Sequence, residues 1–330
     1  MTKTRAAYLF TGLVAALLAT PVLAADPTPA AAGSCDRTCL YGFVDSYLAA
    51  MTAHDAKKLV TAPNVKVTEN DRVLQPGEGL WTTAKSWGTY RIEAADPQQG
   101  QVGFVGLLQT TTDPVQVAIR LKIVDHKITE IETIAPGKTI PPVFQQATAK
   151  LTQARPVFGQ AVDPSEKSSR AELVKAANSY YDGVEAASGE VTAFAPDCHR
   201  IEDGIALVNN KGDFKWDVVS STGKTVPNIA AMGCKEQFNT HFWGTDSISD
   251  RRFPIVDEEH GVVFVYTHYH EYSKKPCADM PGYGQVCPRQ KTGPVLLDLV
   301  EVFKIRGGLI HQMESIWTVM PKPDIASAWK

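Results

Sequence analysis

Two histidines, His268 and His270, stand two residues apart in the run Val262-Val-Phe-Val-Tyr-Thr-His-Tyr-His-Glu-Tyr272, and an acid, Glu301, falls on the same strand face as Leu297, Leu299, Phe303 and Ile305 within the run Val295–Ile305. Imidazole exchanges protons near neutral pH. A carboxyl set among Leu297, Leu299, Phe303 and Ile305 has its pKa lifted by desolvation, as a general base requires. Together these types predict acid/base chemistry, with His268, His270 and Glu301 as proton carriers and Tyr181 donating to a developing oxyanion. Tyr180 and Tyr266 are further phenol donors. Phe264, Tyr266, His241, Trp243 and Arg252 are the expected substrate contacts, and Arg252 can alternatively brace its hairpin against neighbouring carboxylates. A His-x-His metal site completed by His241, His311 or Glu301 is a rival, but that spacing arises by chance, so no metal and no cofactor is expected. The chain carries no nucleophile elbow, phosphate loop, dinucleotide fingerprint or His-Glu-x-x-His motif.

These residues need strands to hold them. Side chains alternate along a strand, so Val262, Phe264, Tyr266, His268, His270 and Tyr272 share a face. That face is predicted to wall a pocket, apolar at its base and ionisable at its mouth. The connector Asp257–Gly261 joins the run to Arg251–Val256 as a β-hairpin.

The same order of elements occurs twice. Helical spacing marks Asp36–Leu59, with Leu40, Phe43, Val44, Tyr47, Leu48 and Met51 on one face, and Ala171–Ala187, with Leu173, Val174, Ala177, Tyr180, Tyr181 and Val184. Each helix is followed by short elements and a meander of strands. Tyr47 precedes Glu69 by the same distance as Tyr180 precedes Glu202, which points to a duplication. Five prolines between residues 136 and 168 (Pro136, Pro141, Pro142, Pro156 and Pro164) predict an interdomain linker with one helix over Val143–Gln153. In the first half, Glu69, Trp81, Trp87 and Arg120 are candidates to line a second cavity, and that half is expected to be structural or to complete the other's pocket.

At 330 residues the chain is long enough for two domains, and 44% hydrophobic with 21% charged residues is the composition of a soluble globular protein. A formal charge of −3 argues against nucleic acid as a partner. Lys3 and Arg5, the apolar run Ala6–Leu18 and Pro21-Val-Leu-Ala24 read as a secretory signal peptide cleaved after Ala24. Its loss removes two cations and no anion, and leaves no membrane span. Six cysteines in an exported chain imply disulfides, with Cys35–Cys39, Cys198–Cys234 and Cys277–Cys287 the local choice among fifteen connectivities. The resulting division is a signal peptide over 1–24, a disordered segment over 25–34, domains over 35–135 and 169–330, and a linker over 136–168. The expected location is the periplasm or the cell exterior.

One helix against a strongly curved antiparallel sheet makes a cone, an α+β arrangement. In this the chain resembles the NTF2-like superfamily, which includes the SnoaL-like proteins and ketosteroid isomerase. It is similar in wording to a secreted family of bacterial and fungal proteins of uncharacterised function, through Thr68-Glu-Asn70, Gly77-Glu-Gly-Leu-Trp81 and Ile128-Thr-Glu-Ile-Glu-Thr133 in the first half. In the second half the matching stretches are Cys198-His-Arg-Ile-Glu-Asp-Gly204, Gly233-Cys-Lys-Glu-Gln237 and Asp250-Arg-Arg-Phe-Pro-Ile-Val-Asp-Glu-Glu-His-Gly261. Asp203 departs from the Asn common before that glycine, and His268-Tyr-His270 lies outside the pattern. The resemblance implies two cone-shaped domains and cofactor-free chemistry: a lyase or isomerase acting on a small aromatic or polycyclic hydroxylated or carbonyl compound. Some SnoaL-like enzymes of lignin-dimer breakdown release formaldehyde in this way. The alternative is a periplasmic module that binds a small hydrophobic molecule without turnover. Self-association through the open sheet face is a third reading.

Overall fold

The computed structural model describes residues 35–212, 214, 228–240, 244–272, 277–280, 283–286 and 293–330. The expected signal peptide and the segment 25–34 therefore lie outside the described residues, as do His241, Trp243 and Cys287. The described residues belong to one compact unit. Its class is α+β, built on two six-stranded sheets.

Helix α1 (Arg37–Thr52) starts where the Asp36 carboxylate accepts the Cys39 N–H, and it buries Leu40, Val44, Tyr47, Leu48 and Met51. It is shorter than the periodicity suggested, ending at Ala53 ahead of a tight turn at Ala56–Lys58. Strands β1 (Thr61–Glu69), β2 (Arg72–Leu74), β3 (Ala84–Asp96), β4 (Gln101–Thr110), β5 (Val115–Val124) and β6 (Lys127–Ile134) form the first sheet in the order β2-β1-β6-β5-β4-β3. A short helix, α2 (Pro142–Thr148), lies in the connecting segment. The second half repeats the plan. Helix α3 (Arg170–Ala186) opens on a reciprocal Ser169/Glu172 capping box. Then come β7 (Phe194–Glu202), β8 (Ile205–Ala206), α4 (Cys234–Phe238), β9 (Ser247–Asp257), β10 (Val262–Glu271), the small β11 (Ala278–Met280) and β12 (Gly284–Val286) pair, β13 (Val295–Arg306) and β14 (Leu309–Val319). The second sheet runs β8-β7-β14-β13-β10-β9.

Both sheets are mixed rather than wholly antiparallel, because β1 runs parallel to β6 and β7 parallel to β14. A hairpin turn forces its two strands antiparallel, whereas these pairs are separated by the whole meander and no turn dictates their sense.

Strand alternation then divides the core three ways. In the first half Val102, Phe104, Leu108, Val117, Ile119 and Leu121 face α1. In the second, Val263, Val265, Tyr269, Leu299, Phe303 and Ile305 face α3. The opposite faces of the two sheets pack on each other, with Tyr90, Ile92, Val105, Leu107 and Ala118 meeting Ile255, Val262, Phe264, Tyr266, Val300, Val302 and Ile316. Gly103 makes room in this seam: a Cβ there would sit 2.7 Å from the Phe264 ring. These two sheet faces thus cover each other.

Residues 136–168, the expected interdomain linker, are packed on both halves: Ile140, Phe144, Phe158 and Val162 are buried, α2 rests on Ile205 and Leu207, and the Lys304 ammonium donates to the Gln160 carbonyl at 2.6 Å. Helix α2 also ends five residues before the expected Gln153. Of the disulfides, Cys35–Cys39 and Cys198–Cys234 are formed.

The duplicated β1–β2 and β7–β8 turns differ in one informative way. Asn70 and Asp71 occupy the first turn and Asp203 and Gly204 the second, all at positive φ. Asn70 donates its amide to the Ala135 carbonyl and accepts the Ala135 N–H. Asp203 is placed the same way: its N–H reaches the Ser315 carbonyl and its carboxyl faces the Trp317 N–H. It is fully buried, and neither oxygen has a well-shaped hydrogen bond. Only a protonated carboxyl can both donate and accept as Asn does. Burial, and then the nearby Glu202, push its pKa well up. The native state therefore keeps a proton that the unfolded chain gives up above about pH 4, so stability falls as pH rises past that value. Asp203→Asn is expected to raise the urea midpoint at pH 7, by about 1–3 kcal/mol, and to flatten its dependence on pH. An unchanged pH profile in the variant would refute this account.

Candidate active site

The hydrogen-bond register allows the two halves to be compared position by position. Across the first sheet Glu69, Thr133, Ile119 and Phe104 form one ladder rung. Across the second the rung is Glu202, Ser315, Glu301 and Val265. Glu301 therefore stands where the first half has Ile119. By the same offsets Arg200 replaces Val67, Tyr269 replaces Leu108 and, on the helix, Tyr181 replaces Leu48. All four first-half residues are buried apolar members of the α1 core. The second cup carries a carboxyl, a guanidinium and two phenols instead.

These groups converge beneath α3. The Tyr269 hydroxyl donates toward Glu301, 3.2 and 3.4 Å from its two oxygens. Tyr181 is fully buried and faces the same carboxyl, but its hydroxyl makes no well-shaped hydrogen bond. Arg200, also fully buried, donates to the Tyr180 hydroxyl at 3.1 Å and to Gln237 and Glu202. Gln237 in turn donates to the Leu207 and Ile229 carbonyls, which holds the guanidinium at a fixed place. Burial pushes the Glu301 carboxyl up to about 8, Glu202 adds to the rise, and the Tyr and Arg200 contacts oppose it. Burial also raises the Tyr181 and Tyr269 phenols well above their ordinary range, so both remain donors at neutral pH. The arrangement is a carboxyl raised to about 8 that is faced by two buried phenols, Tyr269 and Tyr181.

The histidines are elsewhere. His268 pairs across the sheet with Asp298, and Glu301 with Val265, so imidazole and carboxyl point to opposite faces. The expected convergence of His268, His270 and Glu301 fails for that reason. Phe264 and Tyr266, expected as pocket walls, lie in the seam with Val262. Arg252 is there too: it stacks over Tyr266, its partner across the β9–β10 hairpin, but its ion pair is with Glu132 of the first half and not with the carboxylates beside the hairpin, and it lies in the seam, away from the cup. His268 is buried among three carboxylates: Nε2 is 3.1 Å from Asp71 and 3.6 Å from Asp298, and Nδ1 is 3.4 Å from Asp250. His270 is half-buried, with Nε2 on the Ser249 hydroxyl at 2.8 Å and Nδ1 on Tyr272 at 2.9 Å. His311 pairs with Asp197. In the first half, Trp81 donates to Tyr47 and Trp87 to the Leu48 carbonyl, Glu69 accepts the Leu80 N–H, and Arg120 turns to the seam, where it pairs with Glu132.

Tyr269 was the residue passed over, lying between two more conspicuous histidines. Alternation with Val263 and Val265 carries the signal that it faces the helix.

Burial opposes a charge on His268, but Asp71, Asp298 and Asp250 outweigh it and raise its pKa. Burial lifts Asp298 to about 8. Both groups hold protons in the native state that the unfolded chain releases at lower pH, so their contribution is complete below about pH 6 for His268 and is lost as pH rises through the folded values. His268→Gln, which leaves Asp71 buried without its imidazolium partner and Asp250 with Lys330 alone, should cost about 3 kcal/mol or more at pH 6 and less at pH 9, read from urea midpoints. A cost that does not change with pH would rule out the ionic role.

Residues 166–317 match the model of a domain of unknown function (DUF8021). No curated protein matches the chain in sequence. Similar solved structures include a protein of unknown function with a cystatin-like fold from Methylobium petroleophilum PM1 (12% identity, 33% of this chain and 83% of that one, TM-score 0.28). An NTF-2 like protein of unknown function from Burkholderia xenovorans LB400 also matches (9% identity, 35% and 95%, TM-score 0.25). So does the de novo designed NTF2 fold protein NT-9 (13% identity, 34% and 91%, TM-score 0.24).

Proposed function

We propose that the second cup is a cofactor-independent acid/base site, a lyase or isomerase, for a small aromatic or polycyclic compound bearing a hydroxyl or carbonyl. The observation that carries the reading is the replacement of four apolar positions of one cup by Glu301, Arg200, Tyr181 and Tyr269 at matched positions of the other. Buried polar groups in a core cost stability, so their concentration in one copy and not its duplicate favours a chemical role. In the proposed reaction the ionised Glu301 takes a proton from the carbon beside a carbonyl. The Tyr181 hydroxyl donates to the oxygen as charge develops on it. Return of the proton to a different carbon isomerises the substrate, and expulsion of a leaving group by the same electron pair makes the reaction a lyase step. Arg200 positions Tyr180 and Glu202 and does not touch the reacting atoms. Two disulfides and the apolar, Lys/Arg-led amino-terminal segment support an extracytoplasmic location.

Glu301→Gln is expected to lower turnover of an enolisable aryl ketone about 100-fold or more, followed as deuterium exchange at the carbon beside the carbonyl. The wild-type rate should climb with pH and level off above about 8, where Glu301 is ionised. Full exchange in the variant would overturn the assignment. Tight binding of the ketone with no exchange by the wild type would favour the non-catalytic binding module instead.

A further inference from the structure

Far from the Glu301 cluster in sequence, a second group of ligating atoms has no part in the chemistry above. Cys35 and Cys39 are joined at the first turn of α1, with Cα atoms 5.2 Å apart. The β5–β6 turn, formed by Asp125 and His126 at φ 48° and 54°, brings the His126 imidazole to them. His126 Nδ1 is 3.7 Å from Cys39 Sγ, and the two sulfurs and a ring nitrogen all lie within 4.8 Å of one another. The other described disulfide, Cys198–Cys234, is buried against Val208 and Phe194. The Cys35–Cys39 bridge is open on one side, since Cys39 is half-buried and His126 exposed.

We propose that reduction of Cys35–Cys39 turns this corner of the protein into a site for monovalent copper. A dithiol reductant passes two electrons to the bridge, becomes a disulfide itself and leaves two protein thiols. Cu(I) then displaces both thiol protons and is held by two thiolates and the neutral imidazole, as a complex of net charge −1. The donor set decides the metal. Thiolates are soft ligands suited to Cu(I), and imidazole suits copper as well. Zinc would have to add a water to the three donors that the described residues offer, whereas Cu(I) is satisfied by three ligands of this softness. The local field helps in two ways. Cys39 lies in the first turn of a 16-residue helix, where backbone N–H groups favour the thiolate, and the same dipole favours the complex's negative charge. The disulfide is then the metal-free, oxidised form of a redox-dependent copper site.

The test is to reduce the folded protein with dithiothreitol under anaerobic conditions, remove the reductant, and titrate Cu(I) in competition with bicinchoninate. The wild type should take one equivalent through this site, and X-ray absorption should show two sulfur neighbours and one nitrogen. His126→Ala is expected to weaken binding about tenfold or more. The double change Cys35→Ser, Cys39→Ser should remove the site. Since His126 is exposed in a turn, its variant remains informative even if the double variant does not fold. Equal copper affinity in His126→Ala, binding that survives loss of both cysteines, or preference for Zn(II) over Cu(I) would each overturn the proposal.

Discussion

Two sheets packed face to face leave every central strand residue with only two destinations, a cup under a helix or the seam between halves. Because the side-chain period is two, neighbours such as Val300 and Glu301 are sent to different places, and no local adjustment can exchange them without turning the whole strand over. The rest of the structure follows from that division. The cups take the α1 and α3 contacts, and the seam takes the aromatic and branched residues that would otherwise face water. A β-sheet with one exposed apolar face is unstable alone; here the second copy supplies the cover.

The seam is not uniformly apolar, and its polar end explains why the two halves have a fixed register. Arg120 and Arg252 both pair with Glu132, one from within the same sheet and one from across the seam. Tyr90 donates to Glu314 across the same interface. Trp329 closes this end: its indole N–H donates to Thr68 at 3.1 Å, and Lys66, Arg120 and Arg252 surround its ring. The Lys66 ammonium reaches the Ala328 carbonyl, and Asp71, which also meets His268, accepts the Ala328 N–H. Burying these charges is unfavourable unless each finds a partner. A shift of one sheet past the other would strand several at once, so the network selects one packing even where it adds little net stability.

Much of the architecture was legible in the sequence. The helices, the Asp257–Gly261 hairpin, the repeated order of elements and the Cys35–Cys39 and Cys198–Cys234 pairs each follow from a short-range pattern. The parallel pairings were not, because they join residues with no turn between them. The site was half legible. Glu301 stands out as the acid on the strand face of Leu297, Leu299, Phe303 and Ile305, and Tyr181 follows from helical spacing. The error lay in choosing which face of β10 is the inner one. Both faces of that strand are buried, so its sequence shows no polar/apolar alternation to separate them. Val262, Phe264 and Tyr266 are as apolar as Val263 and Val265. The imidazoles draw the reading toward one face, whereas the long-range strand register joins Val265 of the other face to Glu301.

The duplication also accounts for how a chain of this kind can place a carboxyl and a guanidinium in a core. The first cup, with Ile119, Val67, Leu108 and Leu48 at the equivalent positions, is an ordinary apolar interior. It is joined to the second through the seam, within one compact unit. Buried Glu301, Arg200 and Tyr181 make the second cup costly as a core in its own right, since desolvation is only partly offset by Tyr269, Gln237 and Glu202. A single-domain protein would have to offset that within one small core. Here the apolar copy and the shared interface contribute stability that does not depend on the contents of the second cup. The first half can remain a well-packed support while the second carries the cost of its buried polar groups, and polar substitution confined to one copy is the outcome that this arrangement predicts.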